Sequence, residues 1–188
     1  AAGVEVERTD MVDCRNYANI SFNNVEVSEA ALLGAEGKGF GPLSATLDAG
    51  NVYLSAELLG IAQESFDRTL QYLKERKQFG VLIGSFQGLQ HRAADWWGEI
   101  ELCKSVVLKV LQAMDEGDAK APILASIAKA KLSEVAELAS NEALQMHGGI
   151  GMTDEYEIGF FMKRARPAQT MFGDKSYHTD RFALLAGY

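Results

Sequence analysis

At 188 residues the chain suits one medium-sized domain with a small appendage, and 47% hydrophobic against 23% charged residues is enough for a packed core. A formal net charge of -8 argues against a nucleic-acid partner held by phosphate neutralisation, although a local arginine cluster or helix N-terminus can still hold an anion. No run of about 18 apolar residues is present to span a membrane, and the two cysteines, Cys14 and Cys103, match no metal-ligand spacing.

The opening residues, AAGVEVERTD, show no basic-then-apolar signal, and two free thiols suit a reducing compartment. The expected location is therefore the cytoplasm or an organelle matrix. Residues 1–38 are short-period and irregular. Ile20, Phe22, Val25 and Val27 sit among polar neighbours, which predicts one or two edge strands around a turn at Asn23-Asn24. Gly34, Gly37 and Gly39 then mark a loop. So small a strand pair is marginal by itself, so this stretch reads as the remnant of a larger sheet.

From residue 39 onward the period is helical. Phe40, Leu43, Leu47, Leu54, Leu58, Ile61, Leu70 and Leu73 form one stripe, running to about Lys77. Ala93, Trp96, Ile100, Cys103, Val107, Val110 and Met114 form a second. A third helix starts near Pro122, runs through Ala128, Leu132, Val135, Ala139 and Met146, and stops at Gly148-Gly149. Thr153 to Tyr188 reads as one or two shorter helices broken near Pro167 and Gly173-Asp174. Helices this long are buried economically in an antiparallel arrangement. The expected fold is mostly α: an up-and-down four-helix bundle over 39–188 with a short N-terminal β remnant.

Two motifs could carry chemistry. The first is ERKQFG followed by FQGLQH: Arg76 presents a planar fork suited to phosphate, Phe79 an apolar face, and Gln87 an amide. Gly80 is expected to end the first long helix. The second is QMHGGIGM, Gln145 to Met152, whose glycines permit positive φ and close approach of a ligand or another backbone. His147 could act as a general base or simply bond within its turn. Taken singly, each motif leaves a structural role open, since arginine near a helix C-terminus also favours the dipole.

In combination they are more specific. Arg-x-x-Phe-Gly, a Gln eleven residues after the Arg, and a later Gln-x-x-Gly-Gly-x-Gly resemble the acyl-CoA dehydrogenase family. FNNVEVSEAALLGAEGKGF and TDEYEIGFFMKRAR are similar to segments of the same family. The resemblance implies the end of a middle β-domain (1–38) and a C-terminal helical bundle (39–188). It implies FAD as cofactor, contacted by Arg76, Phe79, Gln87, Gln145, Gly148 and Gly149, with acyl-CoA as substrate. It also implies a homo- or hetero-oligomer, with a tetramer expected. In the family a carboxylate takes the α-proton while the β-hydrogen leaves as hydride to the flavin.

The sequence departs from that pattern where the catalytic Glu belongs. Of its two usual positions, one carries Gly173 in MFGDKSYH and the other Gly50 in TLDAGNVY, with Asn51 where an Arg is usual. Three readings follow: a subunit lacking the Glu, beside a second dehydrogenase subunit that supplies it; another carboxylate, with Asp174 nearest and Asp48 next; or a different flavin activity or pure assembly role. Two glycines could also widen the pocket for a bulky acyl group. A helical interaction module without cofactor is the contrasting class.

Other residues have plainer readings. Trp96 is expected in the core, Trp97 partly exposed and His91 on a polar face. His178 and Asp180 diverge at i, i+2 on a helix, so no metal site is expected. Lys163, Arg164 and Arg166 could meet a phosphate or be a solvated face.

Overall fold

The computed structural model describes residues 2–188. Two strands, β1 (Val4–Asp10) and β2 (Asn16–Phe22), form an antiparallel hairpin in which Val4 faces Phe22 and Asp10 faces Asn16. The pairing corrects the expected turn at Asn23-Asn24. The chain reverses at residues 11–15, and Val25 and Val27 lie in no strand. Val4 and Val6 alternate with Glu5 and Glu7, giving the first strand a period of two. The hairpin has little core of its own: Val6, Ile20 and Phe22 are all exposed.

Three long helices follow, α1 (Phe40–Glu75), α2 (Gln87–Asp115) and α3 (Ala121–His147). Between α1 and α2 lie two-residue strands, β3 (Lys77–Gln78) and β4 (Val81–Leu82). The fourth side of the bundle is shared by α4 (Ile158–Thr170) and α5 (Lys175–Ala186). Pro167 lies inside α4 and does not break it. It falls in the last turn, where a lost N–H costs one hydrogen bond and little downstream helix is disturbed. The break comes at residues 171–174.

The third helix is the axis of the domain, packing against α1, α2, α4 and α5. Its inward face is built of small residues, among them Ala125, Ala128, Ala136, Ala139 and Ala143, all buried. Small side chains let neighbouring helices approach closely. Leu132 and Val135 add bulk from α3, and the other helices supply Leu58 and Phe66 from α1 and Trp96 and Ile100 from α2. Phe66 meets Trp96 edge to face at 5.1 Å. Trp96 is buried and Trp97 half exposed, as their spacing on the second stripe requires.

The hairpin is tied to the bundle by charge. Arg164 of α4 donates through Nη1 to Asp13 in the β1–β2 turn at 2.7 Å and through Nε and Nη2 to Glu57 of α1 at 2.6 and 2.8 Å. Arg15 reaches the same Glu57 at 3.0 Å. The Asp13 side chain is fully buried in this network. Among the described residues, no helix is long and apolar enough to cross a membrane.

Candidate functional site

Two places in the bundle gather the residues singled out in the sequence. The first is the end where α1 leaves and α3 arrives. Helix α1 stops at Glu75, five residues before Gly80, and Arg76 leaves in extended conformation. Phe79 and Gly80 then form the two-residue turn between β3 and β4, both with positive φ, 53° and 82°. Such turns match the twist of the strands they join. Glycine adopts this geometry freely, whereas phenylalanine is strained in it. The Phe79 ring nevertheless projects into solvent, 91% exposed.

Leu73, Ile83 and Met146 pack together, holding this hairpin against the C-terminus of α3. There Gly148 takes φ 63° and ψ -141°, a conformation in practice reserved for glycine, and a 3₁₀ turn over Gly148–Met152 follows. Arg76, Phe79 and Gln87 therefore share one end of the bundle with Gln145, Gly148 and Gly149, all six exposed. Beneath them His147 is buried. Its Nδ1 donates to the Ala143 carbonyl at 2.7 Å, its ring stacks on Tyr72 at 4.4 Å, and its Nε2 has no partner. Burial holds its pKa below the ordinary histidine value.

The arginines distinguish this end electrostatically. The chain has eight. Seven lie within salt-bridge distance of a carboxylate: Arg8, Arg15, Arg68, Arg92, Arg164, Arg166 and Arg181. Among the described residues only Arg76 has no such partner. In the Lys163-Arg164-Arg166 cluster, Arg164 is held internally by Asp13 and Glu57, whereas Lys163 and Arg166 form exposed pairs with Asp154 and Glu137.

The second place lies between α1 and the α4–α5 connection. A Cβ built on Gly50 would lie 3.0 Å from the ring of Phe172, the residue next to Gly173. Gly173 itself has φ 110°, and a Cβ there would fall 2.3 Å from Cδ1 of Tyr177. Beside them is a partly open hollow of about 120 Å³ whose walls include Leu43, Leu47, Phe172 and Tyr177. Its polar edge is made by Asp48, Asn51 and Arg181. Arg181 grips Asp48 with both Nη atoms, at 2.7 and 3.1 Å, and Nη1 also donates to Ser126 Oγ at 2.9 Å.

Asp174 does not face this hollow. It caps α5, accepting from the Tyr177 N–H at 2.9 Å, and lines a separate depression with Ser133, Glu137 and Gln169. Behind the connection, Lys129 is wholly buried and donates through Nζ to the carbonyls of Gln169 and Gly173 at 2.8 and 2.7 Å. Burial pulls its pKa down to about 8, with Asp174 opposing the shift. His178, also wholly buried, sits 3.2 Å from the Phe172 carbonyl, and burial with the charge of Lys129 lowers its pKa to about 4. It belongs to the core. Among the described residues no three His, Cys, Asp or Glu side chains gather as a metal site.

Lys129, Phe172, Tyr177 and Arg181 were not singled out by sequence pattern. Lys129 did leave a signal: it lies on the Ala125, Ala128, Leu132 stripe of α3, where a cation is out of place. The others become neighbours of Gly50 only through tertiary contact.

Bundle, glycine turn and lone arginine together define a class, the C-terminal helical domain of the acyl-CoA dehydrogenase type. The family model described as acyl-CoA dehydrogenase, C-terminal domain, matches residues 37–183. The chain is 42% identical over 153 residues to a probable acyl-CoA dehydrogenase, YngJ, of Bacillus subtilis, covering 80% of this chain and 40% of that protein. It is 32% identical over 171 residues to cyclohex-1-ene-1-carbonyl-CoA dehydrogenase of Syntrophus aciditrophicus, covering 91% and 41%. The structure of butyryl-CoA dehydrogenase from Megasphaera elsdenii superposes with a TM-score of 0.93 at 30% identity, over 98% of this chain and 49% of that one. The chain belongs to the acyl-CoA dehydrogenase family. It spans about two fifths of the length of these curated relatives.

Proposed function

We propose that this chain is the C-terminal part of an FAD-dependent acyl-CoA dehydrogenase, an oxidoreductase acting on the α,β C–C bond of acyl-CoA thioesters. We propose further that it is the subunit without the usual glutamate, working in a hetero-oligomer whose other chain supplies the base. The observation that carries the first part is the free guanidinium of Arg76, beside an exposed aromatic ring and across from a glycine loop.

That donor set fits FAD. A guanidinium without a carboxylate partner is ready for a pyrophosphate, Phe79 offers an apolar face, and Gln87 and Gln145 offer amides. All six residues are exposed, which suits an extended cofactor covered by a second chain. Bound FAD would supply acceptance of the β-hydrogen as hydride. The part of this chain is to hold and orient the cofactor and to exclude water at the shared face.

The second part rests on what the nearby carboxylates are doing. Asp48 is held in both Nη atoms of Arg181, and Asp174 is engaged as a helix cap. An acceptor for the α-proton must be within hydrogen-bond reach and free to take it. Neither residue is free, which favours a carboxylate from another chain. A cofactor-free interaction module is the weaker reading, because it gives no reason for Arg76 to stay unpaired.

The test is the visible spectrum of the full-length gene product with any chain that co-purifies. A flavin band that acyl-CoA bleaches anaerobically only in the presence of the partner chain is the expected result. Absence of flavin after reconstitution with FAD would overturn the cofactor role. Bleaching without a partner would overturn the shared-base role alone.

A further inference from the structure

The hollow beside Gly50 contains a buried hydrogen-bond acceptor with nothing to accept. Asn51 is 3% exposed and lines the hollow. Its Nδ2 donates to the Leu47 carbonyl at 3.0 Å, and its Oδ1 has no partner. The amide cannot simply be turned over, because that would set Oδ1 against the Leu47 carbonyl and lose the one bond it makes. A buried polar atom left in this state is costly unless something fills the gap.

From this we infer that the hollow recognises a hydroxyl on an otherwise apolar acyl group, with Asn51 as the residue that reads it. The inference rests on the acyl-CoA reading given above and specifies its substrate class. One side of the wall is apolar, supplied by Leu43, Leu47, Phe172 and Tyr177, and takes an apolar ligand body, while Ser44 and His178 lie with Asp48, Asn51 and Arg181 on the polar side. The group that meets Asn51 must donate. It must also be uncharged, because Arg181 lies on the same edge with its charge already matched by Asp48. A cation would face the guanidinium, and an anion cannot donate to Oδ1. A hydroxyl donates to Oδ1 without bringing a charge to the Arg181 edge.

Gly50 and Phe172 set the depth of the site. With no side chain at 50, the Phe172 ring closes over the helix, and Asn51, one residue on, becomes the polar end of the slot. Asn51 here is a specificity-determining residue and takes no part in proton or hydride transfer.

The experiment measures binding before turnover. The full-length flavin-loaded gene product, with any co-purifying chain, is titrated calorimetrically with octanoyl-CoA and with a panel of its monohydroxylated derivatives, one for each carbon beyond the β position. One derivative is expected to bind about 10- to 100-fold more tightly than octanoyl-CoA, the range for satisfying one buried acceptor. Asn51→Ala is expected to bring that ratio close to one. Asn51→Gln, which keeps the amide but moves its oxygen, should shift the preferred carbon or erase the preference. Equal binding of all panel members to the unaltered protein overturns the inference alone, without any variant having to fold. Persistence of the preference in Asn51→Ala overturns it too. Failure of every thioester to bind overturns the acyl-CoA reading and this inference together.

Discussion

Lys129 donates through Nζ to the carbonyl of Gly173 at 2.7 Å from a position with no exposure to solvent, and it forms no ion pair among the described residues. A buried ammonium held by two carbonyls and, more weakly, by Ser133 Oγ at 3.5 Å acts as a pin for the chain it touches. Here it pins the segment between α4 and α5 that forms one wall of the hollow. Lys129→Met should leave two buried carbonyls unsatisfied and destabilise the domain by about 1–3 kcal/mol at neutral pH. Amide exchange at residues 170–174 should rise more than in the α2 core.

The same lysine gives a signature in alkali. Burial lowers its folded pKa from 10.5 to about 8. Between those values the unfolded chain holds a proton that the folded chain has released, so the contribution of this group to stability rises with pH. Urea midpoints of the unaltered protein and Lys129→Met, compared across that window, should diverge in favour of the unaltered protein. Parallel curves would show that Lys129 titrates normally.

His178 works at the acid end. Its folded pKa, lowered from 6.5 to about 4 by burial and by Lys129, keeps it neutral in the core. As pH falls between these values the unfolded chain gains a proton that the folded chain refuses, and stability drops by up to about 1.4 kcal/mol per pH unit. His178→Gln should flatten this part of the acid unfolding curve.

Gly173 should tolerate no side chain. Its φ of 110° is strained for any other residue, and a Cβ would strike the Tyr177 ring. Gly173→Ala is expected to cost about 2–4 kcal/mol, read as a lowered thermal midpoint. Adding Tyr177→Ala should recover only the part due to the clash.

Arg164 holds the hairpin. Against burial, which pushes it up, the Arg164 hydrogen bond keeps the pKa of Asp13 below its ordinary value. Arg164→Met would strand Asp13, while Glu57 keeps Arg15, and cost about 1–3 kcal/mol. Limited proteolysis should then cut residues 11–15 well before the bundle.

The helical domain was largely legible from residue 40 onward because its apolar stripes run unbroken for many turns. Leu54, Leu58, Ile61, Trp96, Ile100, Cys103, Leu132 and Val135 are all in the main core, as their spacing requires. The hairpin was less so: both faces of β1 and β2 are mostly exposed, so no apolar face fixes the register, and Val25 and Val27 imitate a strand they do not form. Pro167 misled because its cost depends on its distance from the helix end. The glycines of the second motif mark the end of α3 as expected, whereas Gly80 does not end α1 but turns the small hairpin five residues later. That the two motifs meet at one end of the bundle depends on the Leu73, Ile83 and Met146 contact, which no local pattern encodes. Arg76 was marked by its motif, and its lack of a carboxylate partner, which sets it apart from the other seven arginines, is visible only in the fold.

Every glycine codon is one base from a codon for aspartate or glutamate, so a carboxylate at 50 or at 173 is equally close in genetic terms. The two positions are not equally close in structural terms. At 50, inside a regular helix, the Phe172 ring has only to yield a few tenths of an ångström, whereas at 173 both the backbone and Tyr177 must rearrange. A lineage regaining a carboxylate here would therefore travel through α1, with a compensating change at Phe172, and the route through the α4–α5 connection would stay shut.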